Sequence, residues 1–219
     1  MIKKFLHSFR YFLLGNLREV RLSKHFSEII IKYKSSNNLN ILDYGSGFHP
    51  SVIVYTSKIL NENEIVANIS CMDFYNEEEL EKLNKLYRHI NFSHLTNVEN
   101  KKFDFIIISD VLHHIGIDKI EEIKILLAKL SKLTDFVLIK DHFEYGFVSR
   151  TLLRFMDFIG NYKDGVSIPK SYFNKKSLSS LMNDLELEKV HDVKKVSLYK
   201  NIYFPFSLKK FQFIHLYKR

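Results

Sequence analysis

Only one cysteine, Cys71, occurs in the 219 residues, so no internal disulfide can form and a reducing, cytoplasmic setting is expected. No stretch reaches the roughly 18 uninterrupted apolar residues that a membrane span requires. The first fourteen residues combine lysines with an apolar patch, but Arg10 interrupts the patch and no small-residue cleavage site follows. They therefore do not read as a secretory signal. Tryptophan is absent, and glycine and proline number only seven and three. Two of those glycines fall together in one short turn, and the chain is organised around it.

What is present is ordinary for a globular domain: 46% hydrophobic and 26% charged residues. The length fits a single domain that buries roughly 70% of its unfolded surface. The net charge of +8 is unevenly placed, with +6 in residues 1–34, +7 in 189–219 and −5 between them. Basic ends around an acidic middle suit nucleic acid, anionic lipid or a phosphorylated substrate, or are simply a solvated surface.

The organising turn is Asn40-Ile41-Leu42-Asp43-Tyr44-Gly45-Ser46-Gly47-Phe48-His49-Pro50. A short apolar run meets an acid, breaks at glycines and leads into a helix over 51–60. Strand, glycine turn and helix form the nucleoside-binding corner of an open α/β sheet, where a missing Cβ lets backbone approach a ligand. Before it, residues 2–14 read as a basic amphipathic helix with Phe5, Phe9, Phe12 and Leu13 on one face. Such a helix suits packing on its own domain, covering a pocket or lying on a membrane surface. A second helix over 17–33 is expected to bury Val20, Phe26, Ile29 and Ile30.

Beyond the turn, 65–72 reads as a strand ending at Asp73, in the place where an acid accepts ribose hydroxyls. Asn76 suits the N-cap of a helix over 76–89, before Glu77-Glu78-Glu79. Residues 90–94 make a short strand, and 103–109 is the clearest buried strand, continuous and β-branched. A helix over 118–132 and a strand over 135–140 follow. Strands alternating with helices call for a mostly parallel sheet with helices on both faces, and ligands then sit outside the strands' carboxyl ends. Asp43, Asp73, Asp110, Asp141 and His142 all map to that edge.

Three pieces of this sequence carry a family resemblance: Ile-Leu-Asp-Tyr-Gly-Ser-Gly at 41–47, Cys-Met-Asp-Phe at 71–74 and Phe-Asp-Phe-Ile-Ile-Ile-Ser-Asp-Val-Leu-His-His-Ile at 103–115. The chain resembles class I S-adenosylmethionine-dependent methyltransferases of the small-molecule and quinone-type group. The resemblance spans about residues 40–142, and His49 stands where the family often has a third glycine. It implies a Rossmann-like α/β fold, with a seven-stranded, mostly parallel sheet, helices on both faces and an antiparallel last strand. It also implies S-adenosyl-L-methionine as cofactor. Gly45 and Gly47 then pass the methionine and ribose portions, Asp43 supports the turn or the amino group, and Asp73 holds the ribose. Met72 and Phe74 flank the adenine, Asn97 contacts its edge, and Asp110 and Val111 line the methionine side.

An oxygen nucleophile usually needs a base, and His142, Asp141 and His113 lie at the right edge, where a histidine pKa suits proton removal. Adjacent histidines cannot both point one way, so at most one of His113 and His114 faces the ligand; capping or packing is the competing role for each. Asp110 with Asp141 suggests a metal-dependent catechol-type site, but the neighbouring asparagine of such a site is absent and no metal is expected. The fourth strand lacks the Asn/Asp-Pro-Pro-aromatic turn of amino-methylating DNA and glutamine enzymes, and Cys71 is misplaced for a cytosine-methylating nucleophile.

Residues 143–177 read as a substrate cap with a helix over 147–159, where Arg150, Arg154, Tyr162 and Tyr172 suit an apolar or amphipathic acceptor carrying an anionic group. The expected division is one domain: a helical cap over 1–38, the cofactor core over 39–142, the substrate cap, and a C-terminal helix and β-hairpin over 178–219. The expected activity is methyl transfer to a small-molecule or lipid-like acceptor at oxygen or carbon, with peripheral membrane contact through the N-terminal helix as a further expectation. The rivals are a nucleic-acid methyltransferase, disfavoured because no RNA-binding module is appended, and a fold that has lost its chemistry.

Overall fold

In the computed structural model, which describes residues 17–95, 101–161, 168–194, 196, 198 and 208–219, helices and strands alternate along the chain. They are α1 (Leu17–Tyr33), β1 (Asn38–Tyr44), α2 (Ser51–Glu62), β2 (Val66–Asp73), α3 (Glu77–Leu86), β3 (Ile90–His94) and β4 (Phe103–Ser109). After these come α4 (Leu112–Ile115), α5 (Ile120–Ser131), β5 (Thr134–His142), α6 (Phe147–Asn161), α7 (Lys175–Asp184), β6 (Glu188–Asp192) and β7 (Gln212–Lys218). The amphipathic helix expected over 2–14 lies outside the described residues. No described helix is long and apolar enough to cross a membrane.

The strands form one seven-stranded sheet in the order β3-β2-β1-β4-β5-β7-β6. The first five pair in parallel, and β7 runs antiparallel to both β5 and β6. This is the expected Rossmann-like arrangement. β4 is paired with β1 and β5 along both edges and helices pack on both faces, so its Phe-Ile-Ile-Ile run needs no polar alternation. One face packs Ile41, Phe105, Ile107 and Leu138 against Leu22, Phe26, Ile53, Leu60 and Leu83 of α1, α2 and α3. The other packs Leu42, Ile106, Ile108 and Ile139 against α4, α5 and α7 through Leu112, Ile123, Leu127, Leu130, Leu178 and Leu181.

Boundaries differ from the sequence reading where hydrogen bonding outweighs pattern. The helix expected over 118–132 is preceded by a short helical turn at Leu112–Ile115 and a tighter one at Ile117–Lys119. β5 continues through Asp141 and His142 because β7 pairs with both. Val20, expected in the core, is 44% exposed; α1 turns Leu22, Phe26, Ile29 and Ile30 inward instead. Cys71 is fully buried in the core, as a small hydrophobe would be.

Candidate active site

Both halves of the site stand on the carboxyl edge of the sheet. After β1 the chain turns at Gly45, whose N–H donates to the Met72 carbonyl at 2.7 Å and so ties the turn to the end of β2. Gly45 and Gly47 have φ of +76° and +67°, the left-handed region that side chains disfavour. A Cβ on Gly45 would stand 2.4 Å from a Val111 methyl, which places Val111 against the turn. Asp73 closes the other side: Oδ2 accepts the Gly47 N–H and Oδ1 accepts the Phe74 N–H, each at 2.7 Å. Each oxygen keeps a lone pair, so the carboxylate is aimed and able to take a vicinal diol. The capping role falls to Asn76, which forms a reciprocal box with Glu79.

Tyr75, which sequence reasoning passed over, donates to the Gly47 carbonyl at 2.9 Å and lies 2.5 Å from Ser46 Oγ. Its spacing two residues after Asp73 carried no recognisable signal. The two expected adenine flanks part company: Met72 is buried, whereas Phe74 is 74% exposed with its ring edge-on to His94. Asn97 lies outside the described residues.

A cavity of about 140 Å³ opens beside the glycine turn, lined by Asp43, Gly45, Ser46, His49, Ser109, Asp110 and Arg18. Burial, and then the nearby Asp73 charge, push the Asp43 carboxyl up to about 7. Asp110 itself has φ +58° and takes two cations. Arg18 reaches it from α1 at 2.5 Å, and the Lys140 ammonium donates to its other oxygen. Burial alone would raise the Asp110 carboxyl, but the Lys140 and Arg18 charges hold it well below the usual range. Lys140 is wholly buried; desolvation lowers its ammonium pKa and Asp110 pulls it back only in part. Thus α1 supplies a side chain, Arg18, to the cavity. Lys140 had a legible signal, a lysine inside an otherwise apolar strand, while Arg18 on an exposed-looking helix had none.

The second cluster gathers around Asp141. Its Oδ1 lies 2.6 Å from His113 Nδ1 and accepts the His142 backbone N–H at 2.7 Å, while Oδ2 accepts the His113 N–H at 3.3 Å. Burial would raise this carboxyl, but the His113 charge and these hydrogen bonds hold it far below the usual range. His113 is displaced the opposite way from a typical buried histidine: desolvation lowers its pKa, but Asp141 and Asp157 more than offset that, so it is raised. His142 is lowered by burial and by Lys140, despite its bond to Asp141, and so is neutral at physiological pH. His142 Nδ1 lies 3.4 Å from Asp110 Oδ1 and 3.7 Å from Asp141 Oδ1.

The expected trio of His142, Asp141 and His113 is therefore brought together, but the two histidines are not equivalent. Both nitrogens of His113 face carboxylates, Asp141 at Nδ1 and Asp157 at Nε2. Of the adjacent pair, His113 is the buried member and His114 the more exposed one. Asp110, His113, Asp141 and His142 hold metal-type donor atoms within 4.8 Å of one another. Yet Lys140 and Arg18 already neutralise Asp110 and His113 already pairs with Asp141, so the cluster closes its charge from the chain's own groups.

The cap is less directed at a ligand than its composition suggested. Arg150 makes a two-pronged pair with Glu144, at 2.9 and 2.6 Å, and so is committed within the cap. Arg154 is exposed. Tyr172 is buried, its hydroxyl donating to Asp157, and its ring lies 5.5 Å from that of His113 and 6.2 Å from that of His142. Tyr162 lies outside the described residues. Asp157 was not singled out from sequence, because nothing local marks a helical aspartate that meets a histidine 44 positions away.

A glycine cradle, an aimed carboxylate at the end of β2 and a buried neutral imidazole on one sheet edge fit methyl transfer. The methyltransferase-domain family matches residues 12–192. The chain belongs to that family. Its cofactor is S-adenosylmethionine, and the cradle fits it: Gly45 has no room for a side chain, and Asp73 is held with lone pairs to spare. No curated protein matches the sequence significantly.

Among solved structures, the chain resembles the CurJ carbon methyltransferase at 16% identity and TM-score 0.62, covering 91% of this chain and 53% of that one. It also resembles a cyclopropane-fatty-acyl-phospholipid synthase-like protein from Lactobacillus casei, at 10% identity and TM-score 0.58, covering 94% of each chain. A third is a Burkholderia thailandensis 1,6-didemethyltoxoflavin-N1-methyltransferase with bound S-adenosylhomocysteine, at 14% and 0.57, covering 90% and 78%. The chain spans about half the length of the first of these and of several other carbon and oxygen methyltransferases it resembles.

Proposed function

We propose that the protein transfers a methyl group from S-adenosylmethionine to a small-molecule acceptor at oxygen or carbon, with His142 as the base. The observation that carries this reading is the buried His142 imidazole, 3.4 Å from Asp110, which lines the cavity beside the glycine turn. When bound, the cofactor supplies a methyl group activated by a sulfonium. The chain's own part is to align the acceptor for in-line attack and to remove its proton. His142 Nδ1 lies 3.4 Å from Asp110 and 3.7 Å from Asp141 without a hydrogen-bond partner, and Nε2 is the nitrogen left to act as the base. On taking the acceptor's proton, the imidazolium is stabilised by those two carboxylates. No metal is assigned a role.

Within this class an apolar or amphipathic acceptor is favoured, including a lipid-like one. Phe147, Val148 and Phe155 of α6 are exposed on the helix that also carries Asp157. The likeness to a phospholipid synthase-like fold points the same way. Calorimetric titration with S-adenosylhomocysteine, followed by transfer of labelled methyl groups to a panel of phenols, enols, fatty acids and lipid vesicles, with RNA as a control, tests the reading. Binding of the homocysteine and labelling of at least one small acceptor, lost in His142→Gln, are expected. Labelling of RNA alone overturns it.

A further inference from the structure

His113 is bracketed by carboxylates from two layers of the molecule. β5 supplies Asp141, 2.6 Å from Nδ1, and the cap helix α6 supplies Asp157, whose Oδ2 lies 3.6 Å from Nε2. Nε2 is buried and has no hydrogen-bond partner at that distance. Less than an ångström of closure would make a charge-assisted bond of about 2.8 Å. Asp157 is not loose in this arrangement, because the Tyr172 hydroxyl donates to the same Oδ2. Tyr172 is 2% exposed, and its backbone N–H donates at 3.0 Å to Glu144. Glu144 in turn holds Arg150 of α6. The start of the cap, its helix and the segment that follows are thus tied to one another, and Asp157 is where the assembly meets the site.

We propose that Asp157 is a positioning residue: latched by Tyr172, its carboxylate completes a clamp on His113 that seats the cap helix on the methyl-transfer site. The inference rests on the methyltransferase reading for its purpose, but the clamp itself is testable without an acceptor. The groups facing His113 are Asp141 and His142 from β5, Asp157 from α6, Tyr172 from the cap segment after α6, Asp110 at the end of β4 and the adjoining His114. Three of these are carboxylates. They balance the cluster's cations and make the ring an imidazolium bridge between sheet and cap. Coupling to the base runs through Asp141, which His113 and the His142 backbone share. An unseated cap would leave His113 with one carboxylate contact, Asp141 freer to turn, and His142 less firmly placed.

The experiment is imidazole NMR on the full-length protein, with and without S-adenosylhomocysteine, comparing wild type with Asp157→Asn, Asp157→Glu and Tyr172→Phe. Asp157→Asn is expected to lower the His113 titration midpoint by about one pH unit or more, Tyr172→Phe by less, and Asp157→Glu to restore most of the shift. Amide exchange in α6 should quicken in the first and last of these variants, because the latch that holds the helix is gone. Affinity for S-adenosylhomocysteine should stay within about twofold throughout, since none of these groups lines the cofactor cavity. A His113 midpoint unmoved in both Asp157→Asn and Tyr172→Phe overturns the proposal. Should Asp157→Asn fail to fold, Tyr172→Phe, which deletes one hydroxyl, carries the same test. Absence of cofactor binding in wild type would sink the methyltransferase reading separately, because the His113 titration of the free protein still reports on the clamp.

Discussion

Around Asp73 the contacts are main-chain, whereas Asp141 adds to two main-chain amides a buried pairing with a titratable side chain, His113. The carboxylate of Asp73 is aimed by two amide N–H groups and faces a turn whose shape is set by glycine dihedrals. That of Asp141 is aimed by His113 and by the His142 amide, within a cluster completed by Lys140, Arg18 and Asp157. The cofactor is shared by a whole family, and backbone geometry suffices to hold it. At the Asp141 end sit groups that can take up and release a proton, and burial and neighbouring charge tune their affinity for it. The difference teaches that one edge of one sheet can be rigid at one end and electrostatically poised at the other.

The largest expected effect separates the halves outright. Asp73→Ala should weaken S-adenosylhomocysteine about 100-fold, since it removes charge-assisted hydrogen bonds worth about 1.5–3 kcal/mol each. His142→Gln should leave that affinity nearly intact yet slow methyl transfer about 100-fold or more. Calorimetry and a turnover assay on both variants check the pair, and a His142→Gln that lost cofactor binding would erase the distinction drawn here.

Gly45→Ala should cost about 3 kcal/mol of stability, from a left-handed φ and the clash with Val111. Adding Val111→Ala should return the clash portion and not the backbone portion. A thermal melt of the single and double variants divides the two, and full recovery would mean that φ at this turn is unconstrained.

Protonation offers a finer test, using a histidine outside both halves. His215 is buried with Nε2 3.3 Å from Asp192, and burial pulls its pKa down to about 4. Its folded value lies below the unfolded one near 6.5, so the stability it contributes is complete above about pH 6.5 and is lost as pH falls toward 4. Between pH 7 and 5 that loss amounts to about 2 kcal/mol. His215→Gln should flatten the melting curve over this range. His113, with a raised pKa, acts in the opposite sense: its contribution is full below about 6.5 and fades as pH climbs through the raised value. The smallest effect belongs to Glu144→Gln, which loosens Arg150 and the Tyr172 N–H in a solvent-accessible part of the cap. A drop of about 1–3 °C in Tm is expected, and a much larger one would place the cap's hold on the site at Glu144 rather than Asp157.

How far each half could be read from the chain follows the same division. Asp43, Gly45, Gly47, Asp73 and the β4 run lie within strand-turn-helix units, where residue type and spacing state the geometry directly. The sheet's mostly parallel pairing and its antiparallel final strand followed from alternation and family likeness. Arg18, Tyr75 and Asp157 escaped notice as site residues because each acts through a contact made in three dimensions, whereas Lys140, a lysine within an apolar strand, left a signal that went unread. The Arg18–Asp110 and His113–Asp157 pairs join residues 92 and 44 positions apart. Arg150 misled in the other direction: its charge suggested a ligand, but Glu144, six residues earlier, already holds it. Local chemistry is visible in one dimension, and partnership is not.

Lys140 gives the molecule a built-in clock. Its ammonium has no exposed surface and is held against Asp110, beneath a guanidinium delivered by α1. Amine-reactive reagents that acylate surface lysines within minutes must wait for the sheet edge to open before they reach this one. The lag between surface acylation and modification at position 140, followed by peptide mass, therefore times the opening of the site from inside. Lengthening of that lag on adding cofactor would time its closure.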